Sequence, residues 1–438
     1  MRPPSHPLLE YTVLAVPHRK MSTIASRLRR KLLAQNTLTS QVQTSAASTR
    51  RMHSMENTKS IAILGAGPAG LMLGRLLDLS KIPFTIFERD TEPYNRQGSG
   101  TLDVHPGTGQ LALKEAGLFP QFKELARFGV RNRFVDEKGK VLADVGGEGD
   151  EDRPEIDRLD LQRIIQETIP PEKIQWGSKV RDVARNADGE VEIHMADEKV
   201  ESGFGLVVGA DGAWSKVRNL FTSISPQYSG TTFLGTTILP GDEVYESADS
   251  LAARGNFLAI RGYRKIFLYY LGNRSYKIYV GSDLARNQKL DDALLSDPQK
   301  TWKSVLSSDF NEWSPTLTDL VSKSARGYGT WPFYHLPKEA LSWDPVPGAA
   351  LVGDAAHVTV PNGEGVNNAM FDSLELAQQI IKHWSGDLDQ AVAEYEKTMI
   401  PRARTNLEDG EMMMKTLFGP DAPESLLQAF GFPVDGSG

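Results

Sequence analysis

The 438-residue chain contains no cysteine. That excludes disulfides, thiolate metal sites and cysteine nucleophiles, and it argues against a secreted, disulfide-stapled protein. No run of 18 or more apolar residues occurs, so no helical segment is expected to span a membrane. Nor is there an excess of positive charge: the formal net charge is −7, which argues against general nucleic-acid binding, because that needs a basic face to release counterions. No metal site is expected. Acids are scarce in residues 1–57, where Glu10 and Glu56 stand among many Lys, Arg, Ser and Thr. Ala25 to Leu33 has the pattern of a basic amphipathic helix, as in a mitochondrial transit peptide; the alternatives are a disordered tail, or a start at Met21 or Met55.

What is present begins with Ser60-Ile61-Ala62-Ile63-Leu64-Gly65-Ala66-Gly67-Pro68-Ala69-Gly70, followed by an apolar helical run and then Pro83 to Arg89. Ile61 to Leu64 read as a buried parallel strand, Pro68 as the first residue of a helix, and Phe84 to Phe87 as a second strand. In this βαβ unit Gly65 permits a tight turn, Gly67 lets the backbone approach a pyrophosphate, and Gly70 lets the helix pack on the strand. Glu88 ends the second strand 18 residues after Gly70, a distance at which a carboxylate can accept from ribose hydroxyls.

Further along, Arg96 lies in a glycine-rich loop before Gly100-Thr101-Leu102-Asp103-Val104-His105. Asp157 reads as an N-cap for a helix that carries Arg158 in its first turn, where the dipole disfavours a cation unless an external anion holds it. Gly205 to Arg218 reads as a buried strand, a polar turn at Asp211-Gly212 and a basic helix start. From about 230 to 345 the pattern alternates like strands and concentrates aromatics, among them Phe257, Phe267, Tyr269, Tyr279, Trp331 and Phe333. Ala349 to His357 reads as a strand ending in Gly353-Asp354. After Pro361-Asn362-Gly363-Glu364-Gly365-Val366-Asn367 a helix is expected from near Gly363, and helical sequence from Leu388 to about Phe418 closes the chain.

Three motifs together, Gly65-x-Gly67-x-x-Gly70 with Glu88, Asp211-Gly212-x-x-Ser215-x-Val217-Arg218, and Gly353-Asp354-Ala355-Ala356-His357, resemble the group A flavoprotein monooxygenases, the single-component FAD-dependent aromatic hydroxylases. Gly100 to His105, Pro154 to Leu161 and Ser215 to Arg218 are most similar to the tetracycline-inactivating branch. The resemblance implies FAD as cofactor, NADPH and O2 as co-substrates, and a flavin C4a-hydroperoxide that delivers one oxygen atom to a polycyclic aromatic or enolic small molecule. It implies that Gly65, Gly67, Ala69 and Gly70 cradle the pyrophosphate and that Glu88 and Arg89 meet the adenosine half. Asp103, Arg158, Asp211, Gly353, Asp354, Pro361, Gly363, Gly365 and Asn367 complete the FAD site. Arg96 matches an NADPH position, and Phe257, Phe267, Tyr279 and Pro361 are the substrate candidates. No side chain is named as an acid or base. The loop after His357 is one residue shorter than the family's Pro-x-x-Gly-x-Gly-x-Asn.

The expected fold is α/β: a Rossmann-like FAD-binding domain with a mixed sheet between layers, an inserted β-sheet substrate domain and a long C-terminal helix. The FAD-binding domain is expected to be discontinuous, at 58–115, 147–225 and 345–385, with the substrate domain at 116–146 and 226–344 and the helix and tail at 386–438. A cytoplasmic monomer is expected, with mitochondrial import through the basic extension as the alternative. Alternatives to hydroxylation are a non-oxygenating flavin oxidoreductase and a non-catalytic protein that keeps only the dinucleotide fold.

Overall fold

A computed structural model describes residues 59–94, 100–282, 298–324 and 329–432. The readings of residues 1–57 and of Arg96 lie outside them. The central sheet is built from β1 (Ile61–Leu64), β2 (Phe84–Phe87), β7 (Ile174–Gln175), β11 (Leu206–Gly209) and β17 (Ala349–Leu351), in the order β17-β11-β1-β2-β7. Among the described residues all its pairings are parallel. β1, β11 and β17 carry Val, Ile, Leu and Ala at nearly every position and are buried throughout, because helices cover both faces of a parallel sheet.

The Pro68–Leu79 helix packs against Gly365–His383, which packs in turn on the 29-residue helix Leu388–Thr416. In that last helix Leu388, Ala391, Tyr395, Met399, Ala403, Leu407 and Gly410 are buried, a stripe at helical spacing that faces the core despite Pro401. Its N-terminus is capped by Asp387, whose carboxylate accepts from the Asp389 N–H at 2.9 Å.

Two small sheets flank this unit. β3 (Thr101–Asp103) pairs with β6 (Glu155–Asp157), and β8 (Val180–Arg185), β9 (Val191–Met195) and β10 (Val200–Glu201) form an antiparallel meander. The fourth sheet has seven strands, β4 (Asn132–Val135), β5 (Val141–Val145), β12 (Gln227–Ile238), β13 (Asn256–Arg261), β14 (Arg264–Tyr270), β15 (Tyr276–Ser282) and β16 (Gly329–His335). Their order is β16-β12-β15-β14-β13-β4-β5, antiparallel except where β13 runs parallel to β4. This seven-stranded sheet is therefore mixed.

Side chains alternate across the seven-stranded sheet, as a period of two requires. Phe257, Ala259, Ile266, Leu268, Tyr276, Ile278 and Val280 pack on one face beneath residues of the helices Tyr245–Ala252, Pro298–Asp309 and Pro315–Ser322. Leu258, Phe267, Tyr269 and Tyr279 stand on the other face with Phe233, Trp331 and Phe333. Residues 57–438 form one compact unit. Among the described residues no helix is long and apolar enough to cross a membrane, and no cluster of metal-ligating side chains occurs.

Candidate functional site

The glycine turn after β1 opens the site. Gly65 adopts φ +108°, and a side chain at Gly70 would run into the Gly65 carbonyl, so these two glycines fix the turn and the close packing of helix on strand. At Gly67 the space beyond the backbone is open, as close approach of a ligand requires. Glu88 at the end of β2 is buried; its carboxylate accepts from the Ala66 N–H at 2.6 Å and the Asp90 N–H at 3.0 Å. Arg89 beside it is exposed.

From this turn a cavity of about 860 Å³ runs to the seven-stranded sheet. Gly65, Gly67, Ala69, Glu88, Arg89, Asp103, Arg158, Asp211, Asp354, Pro361, Gly363 and Gly365 line one part of it, and Phe233, Tyr269, Tyr279, Trp331 and Phe333 line another. The volume lies at the upper end of the 300–1,000 Å³ typical of ligand sites. Thus residues separated by nearly 300 positions in sequence share one space.

The two acidic turns of the motifs are stitched together from behind. Arg218 is buried and donates to the carbonyls of Ala355 at 3.0 Å and Asp354 at 3.4 Å, and also to that of Ala213. Val217–Leu220 is a 3₁₀ turn, not an α-helix start, and Arg218 within it bridges the two loops. Asp211 accepts from the Lys216 N–H at 2.7 Å, while its Oδ1 is buried without a partner; burial raises its pKa. Asp354 opens onto the cavity, and burial raises its carboxyl pKa against the opposing charges of His357, Arg158 and Arg218. Behind it, Asp372 accepts from the Gly353 N–H at 2.8 Å, His357 at 2.6 Å and Arg402 at 2.7 Å. Gly353, at φ +59°, therefore shapes the turn and does not line the cavity.

A third cluster joins β3 to the loop before the Gly365–His383 helix. His105 meets Asp103 at 2.7 Å through Nε2 and Glu364 at 3.2 Å through Nδ1. Burial alone would lower its pKa, but the hydrogen bonds and charges of those two carboxylates raise it to about 9, so the ring is an imidazolium at neutral pH. Asn367 is fully buried and lies off the cavity: its Oδ1 accepts from the His105 N–H at 2.8 Å, and its amide donates to the carbonyls of Asp103 and Gly363. It holds the loop instead of facing a ligand. The helix itself begins at Gly365, two residues after the expected start, because Gly363 takes φ +85°.

Asp157 stands at the N-cap position of the Arg158–Gln166 helix but caps nothing with its side chain. Its carboxylate instead takes Arg127 at 2.8 Å and the Gly272 N–H at 3.0 Å, because the β14–β15 turn closes over that helix start. Arg158 lines the cavity, and its N–H donates to the Gly100 carbonyl at 3.1 Å.

Of the substrate candidates, Tyr279 and Pro361 line the cavity. Phe267 lies one layer back, its ring 5.6 Å from Phe233 and 6.3 Å from Tyr269. Phe257 requires correction: strand parity puts it on the opposite face, 1% exposed in the core beneath the helices. Tyr269, Trp331 and Phe333 stand among the aromatics of the alternating region without being substrate candidates, and the sequence does not mark Phe233 or the acid Glu155 as facing the cavity. Alternation along β12 and β16 marks which residues share a face, but not which face meets the cavity.

These residues fit a dinucleotide: an open glycine turn at a helix N-terminus, a strand-end acid, and a buried aspartate oxygen still lacking a partner. The sequence matches the FAD binding domain family over residues 58–237 and 346–409. It is 31% identical to monooxygenase asqM of Emericella nidulans over 80% of this chain and 93% of that protein. It is 32% identical to monooxygenase penA of Penicillium thymicola over 78% of this chain and 92% of that one. The tetracycline destructase Tet(51) superposes with a TM-score of 0.64 at 18% identity, covering 85% of this chain and 94% of its own, a likeness of fold. With the glycine cradle, both acidic turns and the aromatic cavity in place, the chain belongs to the FAD-binding group A flavin monooxygenases of the aromatic hydroxylase family and is an FAD-dependent monooxygenase.

Proposed function

We propose that this enzyme hydroxylates a polycyclic aromatic or enolic small molecule, of tetracycline or aromatic-polyketide type, with NADPH as reductant. The observation that carries the reading is the junction, in one cavity, of a dinucleotide cradle with a wall of five aromatic side chains, Phe233, Tyr269, Tyr279, Trp331 and Phe333. Flat apolar walls with a few polar groups favour flat, partly polar ligands. In this reading Gly65 and Gly67 with the N-terminus of the Pro68–Leu79 helix hold the pyrophosphate, Glu88 and Arg89 the adenosine half, and Asp103, Arg158, Asp211 and Asp354 the remainder of FAD. The chemistry that bound FAD supplies is transfer of electrons from NADPH to O2 and of one oxygen atom to the substrate.

The protein's part is position, charge and dryness. The N-terminus of the Gly365–His383 helix opens on the cavity through Gly363 and Gly365, and favours negative charge there by roughly 0.3–1 kcal/mol. Tyr279, with its hydroxyl pKa pushed up to about 12 by burial, stays a neutral hydrogen-bond donor. The aromatic wall keeps water from the reacting atoms, which protects a reactive oxygen donor from wasteful decay. The proposed setting is a cytoplasmic monomer. Arg96, proposed for NADPH, lies outside the described residues.

The test is a panel of tetracyclines, aromatic polyketides and simpler phenols incubated with NADPH under 18O-labelled O2. A product heavier by one labelled oxygen atom is the expected result. Turnover of a substrate without O2, or with oxygen drawn from water, would replace hydroxylation by a dehydrogenase reading.

A further inference from the structure

Glu155 lies between the two-stranded β3–β6 sheet and the seven-stranded sheet. β6 places it opposite Asp103 in the β3 ladder, and its side chain reaches the start of β13, where Asn256 donates to Oε1 at 2.6 Å. The residue lines the cavity beside Thr101, Tyr269 and Tyr279 although it is only 6% exposed. Its Oε2 is buried without a well-aligned hydrogen bond, the Thr101 hydroxyl stands close to the carboxyl, and the nearest cation, Arg127, is 3.9 Å away.

The charges around it do not balance. Arg127 makes its short contact with Asp157, at 2.8 Å, and donates to the Thr101 hydroxyl at 2.7 Å. Asp103 is matched by the imidazolium of His105. The groups facing Glu155 are thus Asn256 from β13, Tyr269 from β14, Thr101 and Asp103 from β3, and Arg127 and Asp157, with one guanidinium serving two carboxylates. Burial, with the Asp103 charge, raises the proton affinity of Glu155, opposed by the Asn256 hydrogen bond, the Arg127 charge and the Thr101 hydroxyl. Tyr269 and Tyr279, which burial keeps protonated, can donate but do not serve as bases. Among the described residues beside the aromatic wall, Glu155 is the carboxylate placed to take up a proton; the other titratable group there is Lys277, whose Nζ stands 5.0 Å from the Trp331 ring and 5.6 Å from the Tyr279 ring and whose pKa burial lowers to about 8.

We propose that Glu155 is the proton acceptor for an acidic hydroxyl of the substrate, a phenol or enol bound against Tyr269, Tyr279 and Trp331. The inference rests on the substrate class proposed above. In the step the substrate O–H bond breaks, its electron pair stays on the oxygen, and the proton joins the Glu155 carboxylate to give a carboxylic acid. The negative charge moves from protein to substrate without net charge entering a poorly solvated cavity, which would be costly. An ionised oxygen enriches the ring carbons that are to be hydroxylated. No oxidant or reductant is consumed.

The test uses Glu155→Gln in the FAD-loaded enzyme, which can still accept from Asn256 but takes up no proton, with Glu155→Asp as a second variant in case the amide does not fold. Flavin content and melting temperature near wild type establish folding. In infrared difference spectra of wild type against variant, the Glu155 carboxylic C=O band is expected to appear and vanish in a pH titration above the ordinary carboxylate range. A group ionised at every pH would be a locked structural ion pair and would overturn the proposal. In parallel, 4-nitrophenol is titrated into each protein and its phenolate absorbance followed. Bound phenol is expected to ionise more readily in wild type, and to be about tenfold less acidic in Glu155→Gln, one pKa unit. Equal ionisation in both proteins overturns proton acceptance by Glu155. If neither 4-nitrophenol nor any hydroxylated compound of the panel binds wild type, the substrate class itself fails, while the infrared titration still decides whether Glu155 is a base.

Discussion

The five-stranded and seven-stranded sheets meet one cavity by opposite means. The first offers backbone: its contribution is a turn shaped by Gly65, Gly67 and Gly70, with Glu88 braced against the Ala66 N–H. The second offers side chains, and everything it contributes depends on which residues of β12, β14, β15 and β16 share a face. A backbone cradle tolerates side-chain change but not an added Cβ. A side-chain wall tolerates substitution of volume but not a slip of one residue, which would exchange the Tyr279 set for the Phe257 set.

The largest expected effect separates two glycines of the same turn. Gly70→Ala drives a Cβ into the Gly65 carbonyl, a backbone atom that cannot move aside, and should destabilise the protein by about 3 kcal/mol with loss of bound flavin. Gly67→Ala meets no protein atom within 4 Å and should leave the melting temperature close to wild type while weakening FAD binding. Equal melting temperatures for both variants would erase the distinction between packing glycine and ligand glycine.

Next in size is the His105 cluster, which ties β3 to the loop before the Gly365–His383 helix. Because the His105 pKa is raised from 6.5 to about 9, its stabilising contribution is fully present below pH 6.5 and is lost as pH rises through about 9. At 1.36 kcal/mol per unit this is up to about 3 kcal/mol. Thermal melts over that alkaline range should fall more steeply for wild type than for His105→Gln. Parallel curves would remove the imidazolium from the cluster.

The smallest effect contrasts the two faces of the seven-stranded sheet. Phe257→Leu should cost about 1 kcal/mol of stability and leave the Michaelis constant of the substrate unchanged, since Phe257 packs only beneath the helices. Trp331→Ala should do the reverse, raising that constant by about tenfold through lost contact with a flat ligand, with flavin content intact. Kinetic damage from Phe257→Leu as large as that from Trp331→Ala would show that the faces are not functionally distinct.

The sequence by itself determined the dinucleotide half in some detail. Gly65, Gly67, Gly70 and Glu88 lie within one βαβ unit, so hydrophobic periodicity, turn chemistry and spacing all act over short range and leave a readable trace. The helical run that opens at Leu388 was legible for the same reason. Only the tertiary structure decided the rest. Asp157 abandons its cap for Arg127 and a turn 115 residues away, and Asn367 reaches back 262 residues to the His105 N–H. Phe257 and Tyr279 are both aromatic residues on adjoining parts of one alternating sheet, yet one lies under helices and the other on the cavity. In the sequence Glu155 stands among Asp144, Glu148, Asp150, Glu151, Asp152 and Asp157 with nothing to mark it; β3, β6 and β13 bring it beside the aromatic wall, with one arginine shared between two carboxylates. Local pattern fixes which residues can share a face, but which face is solvated, covered or turned to a ligand depends on elements that arrive from elsewhere in the chain.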